Sequence, residues 1–196
     1  LENLKKIKAN KSVNKYKKIS NNLQVHQVLD TFFDDKKIYI SYVSKNDNCF
    51  QFNISSAEIN DENLKFENFF SPKECMKSTI QGGRIQKYTH NDDIGLIFTI
   101  GDSSTPDFIG GDAQNEKSIY GKIIFKSLND VNKEKYILFS KGHRNPQGLF
   151  VDELNNILST EHGPRGGDEI NKIMFKKNYG WPIASYGESY FSKDTE

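Results

Sequence analysis

The chain has 196 residues, with 27 basic and 26 acidic side chains and a formal net charge of +1. That near-neutral balance argues against a nucleic-acid binder, which would carry a basic excess gathered on one face. Apolar residues make up 35% and aromatics 12%, enough for a packed core, yet no run approaches the ~18 apolar residues of a membrane-spanning helix.

Residues 1–23 are lysine- and asparagine-rich and are expected to be irregular or loosely attached. Their basic start is not followed by an apolar stretch, so no signal peptide is expected. From residue 24 to 196 strand patterns recur and helix patterns do not. "KKIYISYV" (36–43) is rich in the β-branched and aromatic residues that pleated surfaces favour. "CFQFNI" puts Phe50, Phe52 and Ile54 on one face, and "NLKFENFF" does the same with Leu64, Phe66 and Phe70. "IGLIFTIG" alternates Ile94, Leu96, Phe98 and Ile100. "GKIIFKSL", "KYILFS" and "INKIMF" read as further strands, and Asp/Asn turns separate them. The predicted fold class is antiparallel all-β.

A coarse unit repeats: an apolar segment, an Asp- or Asn-rich turn, then a second apolar segment. With Asp35, Asp93 and Asn155 as markers, the spacings are 58 and 62 residues. This exceeds the ~40–45 residues of a compact propeller blade, so long loops are expected between strands. Roughly three units are present where closed propellers have about four to eight. Either the chain is part of a longer propeller or it is a sandwich. The two cysteines, Cys49 and Cys75, have no metal spacing; one disulfide and two free thiols are both open.

Two distributions single out the second half. All 14 glycines fall at residue 82 or later, and only three of the 27 basic residues are arginines. Arg84, Arg144 and Arg165 sit in "GGR", "GHRNPQG" and "GPRGGDE", each within two residues of a glycine. In so lysine-rich a chain, arginine suits places that need its planar fork; chance plus turn chemistry is the plainer alternative. In "STEHGPRGGDE" the glycines allow sharp turns that expose carbonyls, and Glu161, Asp168 and Glu169 add hard oxygen ligands. Such a set suits calcium, though the EF-hand spacing is missing and a turn stabilised by the same acids remains open. In "GHRNPQG", Arg144 and Asn145 place two planar donor sets side by side before Pro146. "NYGWP" (178–182) holds the only tryptophan, Trp181, as core or as a stacking platform.

The three motifs, in this order across residues 142–187, resemble the soluble quinoprotein glucose/sorbosone dehydrogenases, also called aldose sugar dehydrogenases. The resemblance extends more loosely through "GGRI", "LIFTIGD" and "AQNEKSIYGKI" to about residue 24. It implies a six-bladed β-propeller, of which residues 24–196 would cover roughly three blades. It implies two cofactors, pyrroloquinoline quinone (PQQ) and calcium, an aldose substrate oxidised to its lactone, an external electron acceptor, and a periplasmic or secreted location. By the same resemblance, the carbonyls of Gly163 and Pro164 would hold the calcium under the quinone, and Arg144 and Asn145 would contact the quinone. Glu169 and the carbonyl of Tyr179 would help a second, structural calcium. One position departs: the family reads H-x-G-G-R, whereas "STIQGGRI" puts Ile80 where the histidine base belongs. Isoleucine cannot accept a proton, so impaired turnover is expected. A non-catalytic, calcium-stabilised binding propeller is the alternative, and a calcium-dependent propeller lactonase the third reading.

Overall fold

The computed structural model describes residues 20–47, 49–59, 63–76, 81–102 and 111–188. A two-residue strand β1 (Ser20–Asn21) leads into β2 (Gln27–Asp34), β3 (Lys37–Asn46) and β4 (Cys49–Glu58). A short β5 (Asn63–Leu64) pairs back in parallel with β1, and β6 (Glu67–Phe70) completes an antiparallel sheet of order β2-β3-β4-β6. The second sheet contains β7 (Gly82–His90), β8 (Asp93–Ile100), β9 (Lys122–Ser127) and β10 (Ile137–Lys141). The third contains β11 (Pro146–Val151), β12 (Ile157–Glu161) and β13 (Glu169–Ile173).

Each sheet opens with a hairpin, and the repeat markers fall at its turn. The β2–β3 turn uses Asp35 at φ 51°, β7–β8 uses Asn91 and Asp92 at 48° and 66°, and the β11–β12 turn uses Asn155 at 64°. Asparagine and aspartate tolerate this left-handed backbone, which matches the twist of the flanking strands. The first strands β2, β7 and β11 lie side by side. Lys87 on β7 pairs with Asp34 on β2 at 2.8 Å, and Asn155 donates to the Thr89 carbonyl at 2.8 Å. Three consecutive twisted sheets with adjacent first strands are three blades of a β-propeller, as expected.

Two apolar layers separate the blades. Between the first and second lie Val43, Phe52, Ile54 and Phe70 against Leu96, Phe98, Ile100 and Ile124. The Phe52 and Phe98 rings stack at 6.0 Å. Between the second and third lie Ile97, Ile123, Phe125 and Phe139 against Ile157 and Ile173. Strand β8 is therefore buried on both faces, and its alternation is not the half-buried pattern the sequence suggested. Ile94, expected inside, is 47% exposed, whereas Ile97 is fully enclosed. "NLKFENFF" also divides into β5 and β6 instead of forming one strand.

The described part of the N-terminal segment is fastened to the first blade. The Asn22 side chain donates to the Phe66 carbonyl at 3.0 Å and accepts its N–H at 2.8 Å. Leu23 and Leu64 pack on Ile38, Ala57 and Phe66. Residues 1–19 lie outside the described residues. Cys49 and Cys75 form a disulfide with Cα atoms 5.5 Å apart, beside the Phe50–Met76 bridge.

Candidate functional site

The motif loops meet at one end of the blades. "GGR" begins β7, "TIGD" ends β8, "GHRN" leads into β11, and "GPRGGD" joins β12 to β13. Pro146 is registered with Glu161, and Glu161 with Glu169, so the three motif segments lie abreast at this end. Asp102 donates its N–H to the Arg144 carbonyl at 2.8 Å, linking the second blade's loop to the third.

Glu161 organises the centre. One of its oxygens accepts the His143 Nδ1–H at 2.5 Å and the other accepts the Arg144 N–H at 3.1 Å. With its proton on Nδ1, the His143 ring accepts the Ser140 hydroxyl at Nε2, 2.8 Å away, and stacks on Tyr179 at 4.8 Å. The order hydroxyl, imidazole, carboxylate is that of a nucleophilic triad. Here Ser140 and His143 are fully enclosed and Glu161 is 6% exposed. No substrate reaches them, and the network instead fixes the backbone that carries Arg144.

The Arg144 guanidinium lies over the Trp181 ring at 5.3 Å. Its Nη1 donates to the carbonyls of His162 at 2.9 Å and Gly163 at 2.7 Å. Two carbonyls thus converge on one positive group, the arrangement that a cation site needs. The Trp181 indole donates to Asp102 Oδ2 at 3.1 Å. Asn145 accepts the Gln147 side-chain N–H at 2.7 Å, while its carbonyl accepts the His162 N–H at 3.1 Å. In the loop, the Gly163 N–H and His162 both bond Asp168 and hold its carboxyl below the usual carboxylate range. Gly163 has no room for a side chain, since a Cβ would run into the Gly166 carbonyl oxygen.

Of the residues singled out by resemblance, Arg144, Gly163, Glu169 and Tyr179 line one cavity of about 10 Å³, with Glu161 and Trp181. That is roughly one water-sized sphere. Asn171 bridges the two carboxylates, donating to Glu169 at 2.9 Å and Glu161 at 3.3 Å. Pro164 is buried against Gly187, and Asn145 is held on the neighbouring strand end. Among the described residues no group of three or more His, Cys, Asp and Glu could hold a metal by side chains. A calcium ion here would depend on backbone carbonyls such as those of His162 and Gly163, with the Glu161 and Glu169 carboxylates also at the lining. Ile80 lies outside the described residues; its neighbour Gln81 accepts the Gly101 N–H at 2.9 Å, at this same end.

A second polar cluster underlies Trp181 and was not read from the sequence. Lys122 is fully enclosed and donates to the carbonyls of Asp112 at 2.7 Å and Tyr120 at 2.6 Å. Burial pulls its ammonium down to about 8, against the pull of Asp102, Asp112 and Glu74. The Asp112 carboxyl is raised by burial and by the nearby Asp102 and Glu74 charges. Lys122 sits in an apolar strand run, so only the adjoining carboxylates, distant in sequence, could have marked it. Arg165 stands apart: it is exposed, and its backbone pairs with Glu188.

Comparison with known proteins agrees with this geometry. The family model "Glucose / Sorbosone dehydrogenase" matches residues 22–196. The aldose sugar dehydrogenase YliI of Escherichia coli (strain K12) is 54% identical over 54 residues, covering 27% of this chain and 15% of that protein. Quinoprotein glucose dehydrogenase B of Acinetobacter calcoaceticus is 48% identical over 61 residues, covering 31% of this chain and 12% of that protein. The PQQ-bound form of aldose sugar dehydrogenase from Streptomyces coelicolor superposes with a TM-score of 0.60 at 26% identity, covering 77% of this chain and 45% of that one. The chain spans about half the length of the solved relatives it matches. With the matched model covering nearly all of it, the chain belongs to the glucose/sorbosone dehydrogenase family.

Proposed function

We propose that the chain carries part of the cofactor site of a PQQ- and calcium-dependent dehydrogenase that oxidises an aldose to its lactone. The observation that carries this reading is the convergence of the His162 and Gly163 carbonyls on the Arg144 guanidinium, which itself lies over Trp181. PQQ, when bound, would supply the redox chemistry, with calcium as a Lewis acid at the quinone.

The protein's part is binding and orientation. Arg144 offers a planar fork to carboxylate or carbonyl oxygens, and Trp181 beneath it offers a flat apolar face. Asn145 supplies a neighbouring amide. The carbonyls of Gly163 and Pro164 would hold the calcium at the quinone, and Glu169 and the Tyr179 carbonyl the structural one. With the Gly163 carbonyl given over to calcium, Arg144 would keep the His162 carbonyl and turn its remaining N–H donors to the quinone. Proton removal from the sugar is the weak step, because Ile80 occupies the base position and cannot accept a proton. Loss of a positioned base slows such a step by ~10²–10⁴-fold. The Cys49–Cys75 disulfide suits an oxidising compartment and supports a periplasmic or secreted location. An external electron acceptor would reoxidise the cofactor.

The test is sugar-dependent dye reduction by protein from the complete reading frame, reconstituted with PQQ and calcium. Reduction that requires both cofactors is expected. A fully loaded protein that reduces no dye with any of a panel of aldoses would overturn the dehydrogenase reading.

A further inference from the structure

Arg84 does not join the cofactor-facing loops with Arg144. It sits at the start of β7, between the first strands of the other two blades, and touches both. Its Nε donates to the Gln147 carbonyl on β11 at 2.6 Å, and its Nη1 donates to the Leu29 carbonyl on β2 at 3.4 Å. The same Nη1 lies 3.6 Å from Asp30 Oδ1, while Asp30 Oδ2 accepts the Ile85 N–H at 3.0 Å. The backbone around it is cross-linked too. The Arg84 N–H donates to Thr99 Oγ1 at 3.1 Å, and that hydroxyl donates to the Pro146 carbonyl at 3.0 Å. Gly83, at φ +87°, lies so close to β2 that a Cβ would come within 2.7 Å of Leu29 Cδ1. The "GGR" start of β7 therefore brings one guanidinium against the two neighbouring strands, β2 and β11.

The Gln147 carbonyl gripped by Arg84 belongs to the residue whose side chain holds Asn145. Gln147 Nε2–H donates to Asn145 Oδ1 at 2.7 Å. An asparagine amide whose oxygen is turned to a fixed donor presents its N–H donors on the opposite side. Donors are what the carbonyl and carboxylate oxygens of a quinone acid require. Without the clamp the amide could turn over and present its oxygen to the same ligand, a repulsive pairing.

We propose that Gln147 and Arg84 are positioning residues: Arg84 fixes the Gln147 backbone across the blade boundary, and Gln147 fixes the Asn145 amide in its donor orientation. The proposal rests on the quinone reading above and goes beyond it to two residues that the reading does not assign to the cofactor. Arg84 is suited to this because its fork reaches carbonyls on two different strands, which a lysine ammonium on one stem does not do in the same geometry.

The test uses protein from the complete reading frame with saturating calcium, and reads the PQQ dissociation constant by calorimetry alongside the thermal midpoint. Gln147→Ala leaves the Gln147 carbonyl in place for Arg84 and removes only the amide clamp. It is expected to weaken PQQ binding about fivefold, the worth of one net hydrogen bond. In an Asn145→Ala background the same change is expected to add nothing, because its target is gone. Arg84→Lys is expected to weaken binding by a similar factor, again only while Asn145 is present. A merely structural role would give a different pattern: lower midpoints with unchanged PQQ affinity, or a Gln147→Ala loss that persists in full without Asn145. Either result overturns the proposal while leaving the quinone reading intact. A wild-type protein that binds no PQQ overturns both.

Discussion

Glu161 is the residue whose removal should be felt most widely at this end of the propeller. Its carboxylate accepts the His143 ring N–H, the Arg144 backbone N–H and, at 3.3 Å, the Asn171 amide. Its side chain is 5% exposed and that of His143 is 0%, so water cannot replace it as acceptor. Glu161→Ala leaves at least two enclosed donors without a partner, each worth about 1–3 kcal/mol. The two orphaned donors together set an expected total of about 2–6 kcal/mol. Glu161→Gln keeps the volume but only one acceptor oxygen. If that oxygen serves His143, the new NH₂ faces the Arg144 N–H, donor against donor, so rescue is partial and about 1–3 kcal/mol is lost. Urea unfolding followed by circular dichroism reads both values from the midpoint and slope. An alanine variant within about 1 kcal/mol of wild type would refute the reasoning. So would a glutamine variant as damaged as the alanine one.

Other expectations follow from the same contacts. The Cys49–Cys75 disulfide closes a loop with a sequence separation of 26; replacing both residues by serine should cost about 3 kcal/mol in urea unfolding, and an unchanged midpoint would contradict it. Lys122 moves from an ordinary 10.5 to about 8 on folding. Between those values only the unfolded chain keeps its proton, so this lysine's contribution makes stability rise with pH from 8 upward. Against Lys122→Met, the wild type should gain about 2 kcal/mol between pH 8 and 9.5, and parallel pH profiles would refute this. Gly163→Ala drives a Cβ into the Gly166 carbonyl; a loss of about 2 kcal/mol together with weaker calcium binding is expected, and an unaffected loop would contradict it. Ile80→His should raise sugar-dependent dye reduction by roughly 10²-fold or more, and no gain would contradict the reading of position 80 as the place of a missing base.

The strands and hairpin turns of the blades were legible because alternation survives in "CFQFNI" and Asp/Asn turn residues recur at Asp35, Asn91–Asp92 and Asn155. Burial of β8 on both faces was present in the sequence as the continuous run Leu96-Ile97-Phe98, but strict alternation was given precedence over it. Local motifs marked Arg144, Asn145, Gly163 and Glu169 because turn chemistry and donor type are read within a few residues. What escaped was the wiring between blades. The Arg84–Gln147 bond spans 63 positions and Trp181–Asp102 spans 79. Such pairs depend on which strands lie abreast, and no local pattern encodes that. The disulfide was undecided for the same reason: two cysteines allow one pairing, but only the 5.5 Å Cα separation makes it possible.

The reading proposed above makes the Arg144–Gly163 end of these blades a calcium-dependent quinone site. The most direct measurement is a calorimetric PQQ titration of protein from the complete reading frame, with calcium and then with the metal chelated, repeated on Arg144→Lys. The expected result is saturable binding with calcium, loss of it on chelation, and at least tenfold weaker binding in the variant, which lacks the planar fork over Trp181. Binding that ignores both calcium and Arg144, or no binding at all, would contradict the claim.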